Sequence, residues 1–149
     1  MTVADLATFR SAMRQAAVDL LSGVRDDYGI TLQIYRARPR SLMPPTAFID
    51  RITESIADIG LAGIQRTPRV EIVVLHGLFD SGDAVDQADR FVDAFIDYVR
   101  FRYHAAGANS LVATVAIEDD ANYTPDWQPP EVARTYYASL ITLEGFAGG

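Results

Sequence analysis

The strongest helical signal in the chain begins at Asp83, where Val85, Ala88, Val92, Phe95, Val99 and Tyr103 recur at steps of three or four. That spacing puts them on one face of a helix running to about residue 104. Phe91, Ile96 and Tyr98 broaden the face, so the helix needs a wide surface to lie on, and a sheet supplies one. The same period opens the chain. Val3, Leu6, Met13, Ala17, Leu20 and Val24 form a stripe, with Phe9, Ala16 and Leu21 beside it. This predicts a helix from Thr2, its N-cap, to about Asp26, with Gly29 as its stop.

Between and after these helices the pattern shortens to strands. Arg69-Val-Glu-Ile-Val-Val-Leu-His is β-branched and apolar, a mostly buried strand that breaks at Gly77–Asp83. Ile30 to Arg38 alternates loosely and stops at Pro39. For 46–59, helical spacing through Phe48, Ile49, Ile52, Ile56 and Ile59 competes with alternation through Phe48, Asp50, Ile52, Glu54 and Ile56. The frequency of β-branched residues favours a strand and a turn, with 60–68 as a loop or hairpin connection. Leu111 to Glu118 is a further strand, with Leu111, Ala113, Val115 and Ile117 on one face. A polar loop, Asp119 to Glu131, leads to a last strand from Arg134 to Glu144. There Tyr136, Ala138, Leu140, Thr142 and Glu144 face one way and Tyr137, Ser139, Ile141 and Leu143 the other, before a short tail from Gly145. The expectation is one α+β domain over residues 1–149. Its antiparallel or mixed sheet of about four to five strands is packed by an N-terminal helix and a long central helix.

Charge narrows the function classes. The net charge is −7, an acidic balance that repels phosphate backbones. All 13 basic residues are arginine, the cation better suited to bidentate pairing and to protein interfaces. There is no cysteine, which removes disulfides, thiol catalysis and thiolate metal sites. No run of about 18 apolar residues predicts a membrane span, and the N-terminus lacks the basic-then-apolar pattern of a signal peptide.

Candidate chemistry is sparse. Ile72-Val-Val-Leu-His-Gly resembles the strand and His-Gly turn of α/β-hydrolases, but no Gly-x-Ser-x-Gly elbow follows it. A metal site at His76, Asp80 and Asp83 lacks a second nitrogen ligand at useful spacing. The glycines near residue 80 form no phosphate loop, and no cofactor is expected. Asp119 and Asp120 read as solvated acids. Asp86, Asp89, Asp93 and Asp97 give the central helix an acidic stripe. Two segments read as arms that bind a partner or fold back on the domain. One is 36–45, with Arg36, Arg38 and Arg40 two apart; the other is 119–131, with Tyr123 and Trp127 among three prolines, followed by Arg134.

In order and length the chain is similar to the tail terminator and tail-completion proteins of long-tailed bacteriophages. The parts that carry the resemblance are the N-terminal helix, the Ile34-Tyr-Arg-Ala-Arg-Pro strand with its Pro-rich loop, and the Arg69-Val-Glu-Ile-Val-Val strand entering the long helix. The Trp127-Gln-Pro-Pro loop before the strand Tyr136-Tyr-Ala-Ser-Leu-Ile-Thr-Leu-Glu completes it. The resemblance implies a late structural virion protein with no catalytic residue. Such a protein forms a ring, typically a homohexamer, that stops tube polymerisation and joins the tail to head-completion proteins. Its partners would be itself, the tail tube and the neck protein, with DNA only passing through the lumen and no membrane. It would be made in the host cytoplasm and reside at the head-proximal end of the tail. The arm residues then become subunit or partner contacts, and Asp86, Asp93, Asp97, Asp119 and Asp120 candidates for an acidic lumen or face. The runners-up are a head-closure or neck ring protein and, from another class, a small hydrolase-like cytosolic enzyme using the His76 turn.

Overall fold

A computed structural model describes residues 3–58, 60, 63–102 and 110–148, with side chains over 9–55, 60, 63, 67–102 and 114–145. The order is α1 (Val3–Tyr28), β1 (Gln33–Tyr35), β2 (Thr46–Asp58), β3 (Ile64–Leu78), α2 (Gly82–Phe101), β4 (Ser110–Tyr123) and β5 (Tyr136–Gly148). The strands form one mixed sheet in the order β1-β2-β3-β5-β4, parallel only between β1 and β2. The α+β class and both helices are as the periodicity predicts.

Both helices lie on one face of the sheet. From α1 come Met13, Ala17, Leu20, Leu21 and Val24, and from α2 Phe91, Ala94 and Phe95. They pack onto Ala47, Ile49, Ile52, Val70, Ile72, Val74, Ile141 and Leu143. The Thr2 cap and the side chains of Val3 and Leu6 lie outside the described residues. Gly29 ends α1 in the left-handed region, at φ 62°, as the sequence predicts. At Gly23 the Tyr98 ring of α2 lies where a Cβ would sit, so glycine lets the two helices approach there. The Tyr28 hydroxyl donates to Asp97 of α2, tying the two again.

The structure corrects several expectations. The buried face of α2 is Ala84, Ala88, Phe91, Ala94 and Phe95, while Val85 and Ile96 are exposed. The step from 84 to 88, 91 and 95 is as helical as the one from Val85, and the small alanines let the helix sit close to the sheet. The helix ends at Phe101, and Tyr103 and His104 lie outside the described residues. β1 is only three residues long, not nine, because it pairs with β2 from Gln33 to Tyr35 and there the chain must turn back to begin β2.

Of the loop or hairpin connection expected over 60–68, the structure has the hairpin, with most of these residues in its second strand. β3 starts at Ile64, and the turn is confined to positions around Gly60 and Gly63, both at positive φ. Pro68 is accommodated because the ladder from β3 to β5 skips positions 67 and 68. At the other end of the chain, β5 continues to Gly148 where a tail was expected. The alternation expected along β5 holds: Ile141 and Leu143 join the helix-side core, and Tyr136, Ala138 and Leu140 face away from it.

Candidate functional site

The face of the sheet away from the helices carries no helix among the described residues, and it divides along the strands. At one end lies a small apolar cluster of Phe48, Val73, Leu75, Tyr136 and Ala138. At the other the same face is polar, with Arg51 paired to Glu71 at 2.8 Å and Arg69 to Glu144 at 3.3 Å.

The apolar end is covered by both segments that the sequence marks as arms. Parallel β1 and β2 need a crossover, and residues 36–45 provide it. That segment places Leu42 on the cluster. From the other side, the connection between β4 and β5 brings Trp127 edge-on to Phe48, ring centroids 5.3 Å apart. The arms then hold each other. The Arg38 guanidinium lies 4.6 Å from the centre of the Trp127 ring and bonds Asp50 through Nε at 2.6 Å. Gln128 donates to the Arg40 carbonyl at 3.3 Å. Tyr123 is half-buried beside them, and burial, reinforced by Asp50, pushes its hydroxyl up to about 12. Trp127 Nε1 is buried with no hydrogen-bond partner among the described residues.

Arg36 and Arg134 are exposed, and Arg36 bonds Gln15 and Ser11 of α1. Asp86 and Asp93 are exposed on α2, whereas Asp97 is engaged by Tyr28. Asp119 and Asp120 are strand residues, not loop residues. β4 pairs with β5 through Asp119↔Ser139, Asp120↔Ala138 and Tyr123↔Tyr136. An edge strand with one side in water tolerates such acids, which is why their polarity misleads. The loop proper is 124–135, closed at its base by the Thr124 and Thr135 hydroxyls at 3.0 Å. Phe79 at the β3–α2 corner is tied to the same loop, its N–H donating to the Thr135 carbonyl at 3.2 Å. Exposed Leu78, Phe79, Met43 and Val132 therefore gather at one end of the sheet. Helical and strand periodicity cannot find these four, because they lie in or beside turns.

His76 sits at a bulge in β3, buried against Phe91. The Ser139 hydroxyl donates to Asp119 Oδ1 at 2.8 Å, so it accepts from His76 Nε2 at 2.8 Å. A nucleophilic triad needs the reverse, with serine donating to the imidazole and the acid bound to the imidazole's other nitrogen. Ser139 is fully buried, and desolvation lowers His76 to about 4 despite the nearby Asp119. The row thus holds strands β3, β4 and β5 together and has neither the order nor the access of a catalytic site. A cavity of about 140 Å³ lies beside His76, lined also by Arg90, Gln87, Phe91 and residues 29–32. That is below the roughly 300 Å³ at which small-molecule pockets begin. A groove of about 470 Å³ opens over the polar part of the open face, between Arg51, Glu71, Glu118 and Tyr123.

Among the described residues no group of three His, Asp or Glu side chains is placed to hold a metal ion. No described helix is long and apolar enough to cross a membrane. Comparison with models of known protein families and with curated proteins gave no match.

Proposed function

We propose that this chain is a structural subunit of a phage tail, a tail-terminator-type protein that forms a ring on the end of the tail tube. There it stops tube polymerisation and presents a surface to the head-completion proteins. The observation that carries the reading is the crowded end of the sheet. Three separate parts of the chain, 36–45, the 78–81 corner and 124–135, meet there and leave Met43, Leu78, Phe79 and Val132 exposed. Exposed apolar residues gathered on loops that are braced from behind are what a docking end requires. The bracing comes from Arg38, Asp50, Trp127 and Phe48, which fix the loops without covering their outer side. The reversed order of the His76 row supports a non-catalytic role and weighs against the hydrolase-like alternative.

The test is light scattering of the purified protein at two concentrations, then negative-stain imaging, alone and with purified tail tubes. The expected result is a closed ring of several subunits with an open centre that caps tubes and halts their growth. Phe79→Asp should still form rings but lose capping. Monomers that leave tube growth unchanged would overturn the reading, and rings that bind portal-side proteins but not tubes would replace it with a neck ring.

A further inference from the structure

The groove on the open face is large enough to hold a ligand. Its volume, about 470 Å³, lies above the roughly 300 Å³ at which small-molecule pockets begin. The strand register builds it. Glu118, Leu140 and Val73 stand across one row of the sheet, and Ala116, Thr142, Glu71 and Arg51 across the next. Residues opposed on paired strands point to the same side, so Val73, Leu140 and Ala116 give the groove an apolar floor. Glu118 stands on β4, and Glu71 on β3 is two strands away, about 10 Å by the spacing of strands. Tyr123 closes the end nearer the arms, where it packs against the apolar cluster beside Asp50 and Arg38.

The charges in this lining are unequally satisfied. Asp50 is bonded by Arg38 and Glu71 by Arg51. Glu118 is exposed and makes no hydrogen bond or ion pair among the described residues. The unbalanced charge of the groove is therefore negative and sits at Glu118, which favours a cation and repels an anion.

The same face shows which cation fits. Arg38 lies 4.6 Å from the centre of the Trp127 ring while its Nε bonds Asp50. The protein thus holds one of its own guanidinium groups between an aromatic ring and a carboxylate. Within the groove Tyr123 and Glu118 present the same two surfaces, and no described arginine bonds Glu118.

We propose that this groove receives an arginine side chain of a partner protein, with its guanidinium on Glu118 and against the Tyr123 ring. The methylene stem lies over Leu140 and Val73, where its apolar length covers the floor. Arginine fits better than lysine, because a planar guanidinium makes two parallel bonds to a carboxylate and stacks on a ring, while an ammonium is a point charge. The occupant is defined by this side chain, so the proposal does not depend on the ring reading.

The probe is N-acetyl-arginine amide, titrated into the purified full chain. Methyl NMR signals of Val73, Leu140 and Ala116 report on the groove floor in a monomer or a ring alike. Saturable shifts confined to the groove are expected, with a dissociation constant of about 1–10 mM. N-acetyl-lysine amide should bind more weakly, and the neutral citrulline analogue should not bind. Glu118→Gln should weaken arginine binding about tenfold. Glu144→Gln, on the same face but paired with Arg69, should leave binding unchanged. Thermal melts matching the wild type show that both variants fold. Equal shifts with citrulline, or full binding by Glu118→Gln, overturn the proposal. A groove silent to about 50 mM probe also overturns it if Glu118→Gln assembles like the wild type. If that silent groove comes with lost assembly in Glu118→Gln, an arginine of the next copy already fills it, and the proposal stands with its partner identified. Rings that form while the groove takes no arginine overturn this proposal and leave the ring reading intact.

Discussion

One sheet presents two faces, and they are stabilised differently. The helix side is continuous: Ile49, Ile72 and Ile141 make one apolar row across β2, β3 and β5, in the same core as Phe91 and Phe95. The open side is divided into an apolar end held by Trp127 and Leu42 and a polar end of ion pairs. The lesson is that one sheet can bury one face against helices and leave the other braced but open. The helix side supplies the burial that holds the domain together. The open side supplies braced loops and charged rows whose value depends on what meets them.

The comparison breaks most severely on the helix side. Phe95 is fully buried, and Phe95→Ala should cost about 4 kcal/mol, through lost burial and the cavity left behind. Urea denaturation of the monomer measures it. A loss under about 1 kcal/mol would mean that the helices do not supply the main core.

Next comes the polar row at one end of the helix side. The buried His76 imidazole is held down to about 4, while the unfolded chain titrates it near the ordinary 6.5. Between those values the unfolded state binds the extra proton, so stability is full above about pH 6.5 and falls as the pH drops toward 4. The shift is worth roughly 3 kcal/mol. His76→Gln, which keeps a donor for Ser139, should remove this component from the acid limb of the stability profile. An unchanged limb would show that His76 is hydrated in the native state.

These two regions were not equally legible in the sequence. Both helices, the 70–76 strand and the alternation of β5 follow from spacing alone, because burial on one side enforces a period. The face of α2 was legible at Ala88, Phe91 and Phe95 but missed at Ala84 and Ala94, since alanines carry little hydrophobic signal. The extensions of β3 and β4 were missed for another reason. Pro68, Asp119 and Asp120 are residues that disfavour strands, and they are tolerated where a ladder is interrupted or an edge faces water. The arms were recognisable as arms from Arg, Trp and Pro content. That Arg38 would rest on Trp127 was not, because the contact joins positions 89 residues apart through a crossover that only the parallel β1–β2 pair requires.

On the open side, the apolar end should respond less than the helix core. Trp127 is only half-buried, so Trp127→Ala should cost about 2 kcal/mol, through its contacts with Phe48 and Arg38. The orphaned indole N–H tempers the loss, since removing it relieves an unmade hydrogen bond. Trp127→Phe keeps the edge contact without the N–H and should be within about 1 kcal/mol of wild type. If Trp127→Ala destabilises as much as Phe95→Ala, the arms belong to the folding core and the division between the faces fails.

The polar end should respond least of all. Arg51 and Glu71 make a 2.8 Å pair, but both side chains are more than a third exposed, and water and salt screen most of their attraction. Arg51→Ala should therefore change the stability of the monomer by no more than about 0.5 kcal/mol, and the change should shrink further in 1 M salt. This near-neutrality is informative because Arg51 and Glu71 line the groove of about 470 Å³ on the open face. A pair that contributes little to the fold can change partners without unfolding it. If Arg51→Ala leaves the melt unchanged yet alters assembly or tube capping, the polar end is a working surface in its own right. If it alters neither, function on the open side is confined to the braced loops and the Glu118 side of the groove.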